Sequence, residues 1–493
     1  MQTDDLREFL NQLRDAGELE DVCGADPHLE IGTLTEMMEE HHGPALLFDE
    51  IKGYAKGQRV VTNVVTTPKR LAIALGMPFN DKRLEFIHTL KERLKGLKPI
   101  PPTTVSKGLI TENVQEDSDV NMLQFVAPFW HELDGGNYIG TGCMVLVRDP
   151  EDGWVNIGVY RIQVHDRNTV GIYIAPGRHG SIICHKYWQQ KKAAPIAVVL
   201  GAHPLLFIPA ARAVPWGTSE YDVAGGFLGR PVEVIEGKYT GLPLPANAEL
   251  VIEGETPPPA EVVHEEGPFG EATGYYASGR QQIPVIRVKR VLYRSNPINF
   301  GAPPLKPPAS GSISRDLSGA NLWLELERQG IPEIKGASIM SSGYIAVVSI
   351  KQRYGGHARQ VAMAAMSGPQ GVWNCRFGVV IVDEDIDPTN EGDVLWAIAT
   401  RCDPVEAIHI IPETLGNWLD PIIPPEKRAK ADITKSRAMI IACRPYAWIK
   451  EFAPVVGASK ELREKTLSKW GHLFQGSEAS EKVSTPRRRK VAS

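Results

Sequence analysis

Leu6, Phe9, Leu10 and Leu13 recur at spacings of three and four, which predicts an amphipathic helix over 3–16. Thr3 can cap it and Gly17 can stop it. A second helix is expected near Leu34–His41 behind Thr33, with Ala45–Phe48 and the Val-rich Arg59–Val65 as strands. Helices near Lys69–Leu75 and Asp81–Leu94 complete the alternation, so 1–100 reads as a small α/β domain. Gly96-Leu-Lys-Pro-Ile-Pro-Pro-Thr103 is a stiff connector that closes it.

Over 105–305 the period drops to two. Tyr138–Val147, Trp154–Val164, Thr169–Ile174, Ile196–Leu200 and Ile283–Tyr293 are β-type runs between Gly, Asp and Pro, which predicts a barrel or sandwich. One helix, near Ser181–Lys192, interrupts them. Gly301–Gly311 reads as an exit linker. Alternation returns over 315–445: helix Ala320–Arg328, strand Tyr344–Ile350, helix Ala358–Met366, strand Phe377–Val382, helix Asp393–Thr400. The fold class is therefore α/β, in several domains. Segment 446–475 ends in a helix over 459–474. Its stripe of Leu462, Leu467, Trp470 and Phe474 is too apolar for water and predicts packing on a neighbouring subunit. The polar tail 476–493 is expected to be disordered, its Arg487-Arg-Arg-Lys490 run a solvated feature.

Composition narrows the class. Apolar residues make up 42% and charged residues 23%, as in ordinary soluble proteins. A net charge of −5 argues against a nucleic-acid or membrane-surface partner. The six cysteines form no Cys-x-x-Cys pair, so neither a disulfide framework nor a zinc ribbon is indicated. With no signal-type start and no bilayer-length apolar run, a cytoplasmic location is expected.

The candidate chemistry centres on Glu266-Gly-Pro-Phe-Gly-Glu271. Pro268 disfavours a helix, and Gly267 and Gly270 let the chain turn, so both carboxylates can reach one side. Alone, the hexapeptide reads first as a surface loop with two solvated acids. The stretch that continues through Ala-Thr-Gly274-Tyr275 resembles the catalytic loop of the UbiD-type decarboxylases, which use prenylated FMN. Upstream, in the same order, Asn156-Ile-Gly-Val-Tyr-Arg161, His179 after Pro176-Gly-Arg, and Glu220 after Gly217-Thr-Ser are similar to further motifs of that family.

The resemblance implies a central split β-barrel that holds the flavin, between an N-terminal α/β domain and a C-terminal α/β domain used in assembly. It implies that Asn156, His179 and Glu220 ligate Mn²⁺ or Mg²⁺, a mixed oxygen and nitrogen set that suits these cations. The metal would bridge to the flavin phosphate beside a K⁺ ion. Cofactor contacts are implied at Asn156, Gly158, Val159, Arg161, Arg178, His179 and Glu220. Taken singly, Asn156 fits a turn, His179 a surface imidazole and Glu220 a solvated acid. Arg161, Glu266 and Glu271 would be catalytic. Arg161 is assigned to Glu266 and to the substrate carboxylate, and Glu271, its pKa raised by burial, to protonating the carbon that loses CO₂. On a regular strand Asn156 and Arg161 would face opposite sides, unless Gly158 introduces a bulge or a close backbone approach.

The expected activity is reversible, non-oxidative decarboxylation of an aromatic, heteroaromatic or α,β-unsaturated carboxylic acid. A UbiX-type flavin prenyltransferase would supply the cofactor, and a homodimer or homohexamer is expected. A split-barrel FMN oxidoreductase and a non-catalytic subunit are the alternatives. Some relatives meet the flavin phosphate with a Lys that has no counterpart near Arg376, and Ala407–Pro421 occupies the place of a substrate-covering loop. Asp383-Glu-Asp-Ile-Asp387 offers oxygen donors to a hard cation, or capping and solvated groups.

Overall fold

The computed structural model describes residues 5–474 except 213, 278 and 310–312, without the side chains of Trp373 and Phe474. Thr3, the tail 476–493 and part of the 301–311 linker thus lie outside the described residues, as does the Phe474 side chain. The chain divides into two compact units. The first comprises 1–318, 341–343 and 413–435; the second comprises 319–340, 344–412 and 436–493.

In the first unit, helix Leu6–Asp15 buries Leu6, Phe9, Leu10 and Leu13. Asp5 caps it, its carboxylate accepting from the Arg7 amide at 2.7 Å. The second helix starts at Glu30, earlier than Thr33 suggests, and its N-cap Leu29 makes no side-chain capping bond. A four-stranded sheet runs in the order Leu19–Cys23, Ala45–Asp49, Arg59–Thr62, Ile298–Phe300. Its last strand comes from far along the sequence and pairs in parallel with Arg59–Thr62.

The larger sheet has nine strands. Eight follow the order Tyr138–Gly140, Arg161–Val164, Thr169–Tyr173, Val285–Tyr293, Leu250–Thr256, Ala194–Leu200, Met144–Arg148, Val155–Gly158, and Asn113–Glu116 adds to Val285–Tyr293. Strands Val155–Gly158 and Arg161–Val164 are consecutive in the chain, yet one forms an edge and the other lies second from the opposite edge. Two linking residues reach roughly 10 Å. The sheet must therefore curl until its edges nearly meet, which makes it a half-barrel. The single run expected over Trp154–Val164 is two strands for this reason. No bulge at Gly158 is required, because the chain changes edges there. Alternate residues fill the interior: Val145, Val147, Ile162, Val170, Ile172, Ile196, Val198 and Ile252, with Ile183 and Cys184 from helix His179–Gln189.

Two helices here escape the sequence pattern, Pro204–Ala210 and Glu220–Leu228. Their prolines and glycines read as breakers. Pro204 instead occupies the first turn, where its missing N–H costs nothing. Gly225 and Gly226 permit close approach: a Cβ there would lie 2.3 Å from the Ile100 carbonyl oxygen and 2.6 Å from that of Lys98.

A five-stranded sheet, most of its residues in the second unit, has the strand order Ile334–Ile339, Ile345–Ile350, Gly378–Asp383, Thr434–Ala442, Ile408–Leu415. The three central strands are parallel. Gly378–Asp383 is buried along its whole length, as a strand covered on both faces must be. The acidic run that follows holds no candidate metal cluster among the described residues. Asp383 and Asp385 face Arg401, and Asp387 accepts from the Thr389 amide and hydroxyl. The terminal helix spans Lys460–Trp470 and buries none of its residues. No helix of the described residues is long and apolar enough to cross a membrane.

Candidate active site

The 266–271 loop leaves the short strand His264–Glu266, which pairs with Gln281–Ile283. Gly267 adopts φ +87°, a conformation other residues rarely take. Close packing fixes the loop from behind. The Gly135 amide donates to the Pro268 carbonyl at 2.7 Å, and a Cβ on Gly135 would overlap the Gly267 carbonyl oxygen. The buried Asp134 carboxylate accepts from the Gly270 amide at 3.4 Å and meets His131 Nδ1 at 3.3 Å.

This loop brings both glutamates onto Arg161. Arg161 Nε and Nη2 donate to the two oxygens of Glu266 at 2.6 and 2.9 Å, while Nη1 donates to Glu271 Oε1 at 2.6 Å. All three residues are buried. Two aromatic faces enclose the guanidinium, Tyr173 at 4.2 Å and Phe269 at 5.2 Å from its carbon. Tyr173 is the cross-strand partner of Arg161. Burial opposes the Arg161 charge, but the Glu271 and Glu266 carboxylates outweigh it and raise its pKa above the ordinary arginine value. Arg161 thus contacts both glutamates and still has one free N–H on each terminal nitrogen by valence.

Tyr138, which the sequence reading missed, completes the hold on Glu266. Its hydroxyl donates to Glu266 Oε1 at 2.8 Å, and its ring lies 4.1 Å from that of Phe269. Burial first, then Glu266, push the phenol pKa up, so Tyr138 stays a donor. Gln281 Nε2 approaches the other Glu266 oxygen at 3.4 Å. Nothing local announces Tyr138, which lies 128 residues from its partner. Arg428 was missed as well. It donates to the carbonyl oxygens of Ala277 and Asp420, and Thr273 Oγ lies 3.5 Å from the Leu419 carbonyl. The 417–428 stretch therefore sits over the end of the loop that carries Glu266 and Glu271.

A second cluster forms across the curl. Asn156 Nδ2 donates to Glu220 Oε1 and the Ile157 amide to Glu220 Oε2, both at 3.0 Å. Glu220 opens its helix behind the cap Ser219. Burial raises its pKa to about 7, against the opposing bonds from Ile157 and Asn156. His179 opens helix His179–Gln189 and lies edge-on to Trp154 and Trp216, 5.4 and 5.1 Å between ring centres. Trp154 precedes Asn156 by two residues and Trp216 precedes Glu220 by four. Burial, then the Arg178 charge, lower the His179 pKa and favour neutral imidazole. Gly158 is buried, Val159 is half-buried in the edge-to-edge link, and Arg178 is exposed. Asn156 Oδ1 is buried without a hydrogen-bond partner. An orphaned oxygen beside a carboxylate fits a hard cation, which would satisfy both.

Three family models match the chain, those of the 3-octaprenyl-4-hydroxybenzoate carboxy-lyase N-terminal domain (10–90), Rift-related domain (103–307) and C-terminal domain (317–443). A phenolic acid decarboxylase of Bacillus subtilis is 33% identical over 85% of this chain and 89% of its own. The pyrrole-2-carboxylic acid decarboxylase of Pseudomonas aeruginosa is 31% identical over 86% and 88%. The UbiD-class enzyme HmfF of Pelotomaculum thermopropionicum, solved with FMN, superposes with a TM-score of 0.81 over 94% of this chain and 100% of its own, at 27% identity. Its evolved dimeric form, solved with prFMN, does so at 0.78 over 95% and 100%, at 26% identity. From its first matched domain to its last, the chain belongs to the UbiD family of carboxy-lyases.

Proposed function

We propose that this decarboxylase depends on prenylated FMN and acts on an aromatic, heteroaromatic or α,β-unsaturated carboxylic acid, and that it runs as a carboxylase at high CO₂. The buried Arg161–Glu266–Glu271 network carries this reading. When bound, prenylated FMN supplies the electron sink that no side chain offers. Arg161 uses its remaining N–H pair to orient the substrate carboxylate. That carboxylate shares the guanidinium charge with Glu271 and so favours protonated Glu271. Glu271 then delivers its proton to the carbon that has lost CO₂. Glu266, held by Arg161, Tyr138 and Gln281, fixes the guanidinium. Phe269 and Tyr173 exclude water from the charges.

Asn156, His179 and Glu220 would hold Mn²⁺ or Mg²⁺, with K⁺ nearby, to neutralise the flavin phosphate. A UbiX-type prenyltransferase would supply the flavin in the cytoplasm. The exposed Leu462, Trp470 and Leu473 of the C-terminal segment support assembly as a homodimer or homohexamer. Truncation at Val456 should then lower the particle mass in light scattering, and an unchanged mass would refute that role.

The deciding experiment compares protein made with and without a flavin prenyltransferase. Only the co-expressed form should show a modified-flavin visible spectrum and release CO₂ from a panel of aromatic and unsaturated acids. Equal CO₂ release with plain FMN would reject the prenylated cofactor.

A further inference from the structure

Arg212 follows helix Pro204–Ala210 and opens the loop that leads to Ser219 and Glu220. Its Nη1 donates to Ser318 Oγ at 2.5 Å, and its Nε is enclosed without a hydrogen-bond partner. No carboxylate pairs with it among the described residues. Arg70, Arg161, Arg294 and Arg401, by contrast, each lie against a carboxylate.

The charge that acts on Arg212 has its own sign. Burial and then Arg315 lower its pKa to about 10, so it is still a cation at neutral pH. Arg315 is anchored by donating to the main-chain oxygens of Pro308 and Ala309. Asp316, next to it, is engaged by Arg83 at 2.6 Å. A half-buried cation with an enclosed, unbonded Nε and no carboxylate among its described partners favours an anion that would complete its hydrogen bonds. Ser318 accepts from Arg212 and so keeps its own O–H to donate. A guanidinium, a hydroxyl and a second positive charge make a donor set for a tetrahedral dianion.

We propose that Arg212, with the Ser318 hydroxyl, binds a phosphate group, that of the flavin. The inference rests on the flavin reading above and extends it to a residue outside the Asn156–His179–Glu220 set.

The test titrates metal-supplemented apoprotein with FMN and with riboflavin, which lacks the phosphate, by fluorescence quenching. A thermal-shift series with inorganic phosphate runs alongside. Arg212→Gln should weaken FMN by about tenfold to a hundredfold, the range of a lost hydrogen bond to a charged group, and leave riboflavin unchanged. Arg212→Lys should recover part of the loss. Without ligand the Gln variant should melt at or above the wild-type temperature, because it loses an uncompensated cation. Wild-type FMN affinity together with a lost phosphate response would assign the site to free phosphate and overturn the flavin assignment. Unchanged binding of both phosphates with a lowered melting temperature would make Arg212 a structural residue and overturn the proposal. A wild-type protein that binds neither flavin would reject the flavin reading itself, and the phosphate series would still decide Arg212.

Discussion

Two buried arginine–carboxylate networks, one in each unit, use the same chemical groups in different proportions. Around Arg161 one guanidinium faces two carboxylates, walled by Phe269 and Tyr173. Around Arg401 two aspartates meet two arginines. Arg401 bonds Asp383 at 2.9 Å and both oxygens of Asp385 at 2.8 Å, while Arg444 reaches Asp383 through its Nε at 3.1 Å and its amide at 2.8 Å. Gln352 takes the remaining Asp383 oxygen at 2.9 Å. The second network closes on itself in charge and hydrogen bonds, so it can only hold the fold. The first carries one more negative charge than positive and keeps donors on Arg161 to spare. Charge balance, rather than burial or residue type, separates the cluster proposed to react from the one that closes on itself.

The strongest break of this comparison is Glu271→Gln. The amide is nearly isosteric but cannot deliver a proton. Turnover should fall by about 10²–10⁴, with folding and flavin binding kept. Hydrogen–deuterium exchange into the product isolates the step, since it needs proton transfer without CO₂ loss. Exchange at the wild-type rate would move the donor role to Glu266 or water.

Arg401→Met should do the opposite. It takes both bonds from half-buried Asp385 and leaves buried Asp383 to Arg444 and Gln352, so it should cost up to about 3 kcal/mol in denaturant unfolding, while flavin-site chemistry in the folded fraction persists. A loss of turnover without a loss of stability would show that the second network is not structural.

Tyr138→Phe removes one donor to Glu266 and leaves the Arg161 fork. A hydrogen bond to a charged group is worth about 1.5–3 kcal/mol, so the melting temperature should fall measurably, and turnover should fall by up to roughly a hundredfold as Glu266 loses one of its holds. Unchanged turnover would show that Arg161 alone positions Glu266.

Acid should separate the units more gently. His203, buried at the start of helix Pro204–Ala210, has its pKa lowered from 6.5 to about 3 by burial. A lowered folded pKa means the unfolded state binds the extra proton. This stabilisation is whole above pH 6.5 and fades by about 1.4 kcal/mol per unit as pH falls below it. For Asp385 burial works upward, but Arg401 outweighs it and the pKa is lowered, so its contribution is lost only below the ordinary aspartate range. Amide exchange by mass spectrometry between pH 6.5 and 4.5 should therefore show Pro204–Ala210 loosening while Gly378–Arg401 stays protected. Simultaneous loosening would refute the assignment.

Hydrophobic period alone determined the α/β alternation at both ends and the β-rich centre, because buried faces must repeat at 3.6 or 2 residues. Glu266-Gly-Pro-Phe-Gly-Glu271 announced a carboxylate-bearing turn, since Gly and Pro restrict backbone choices locally. Helices Pro204–Ala210 and Glu220–Leu228 stayed hidden. Their glycines answer to the close approach of Lys98 and Ile100, which no local rule contains. The Asp383–Asp387 run left a metal, a cap and a solvated reading open, because its partners Arg401 and Arg444 are not its neighbours in the chain. Only the tertiary structure decided that Asn156 and Arg161 stand near opposite edges of a curled sheet. Only the folded chain brings Glu220, from a helix, onto one and Glu266 and Glu271, from a separate hairpin, onto the other. Tyr138 and Arg212 gain their meaning the same way, since charge compensation acts through space and leaves no period in the sequence.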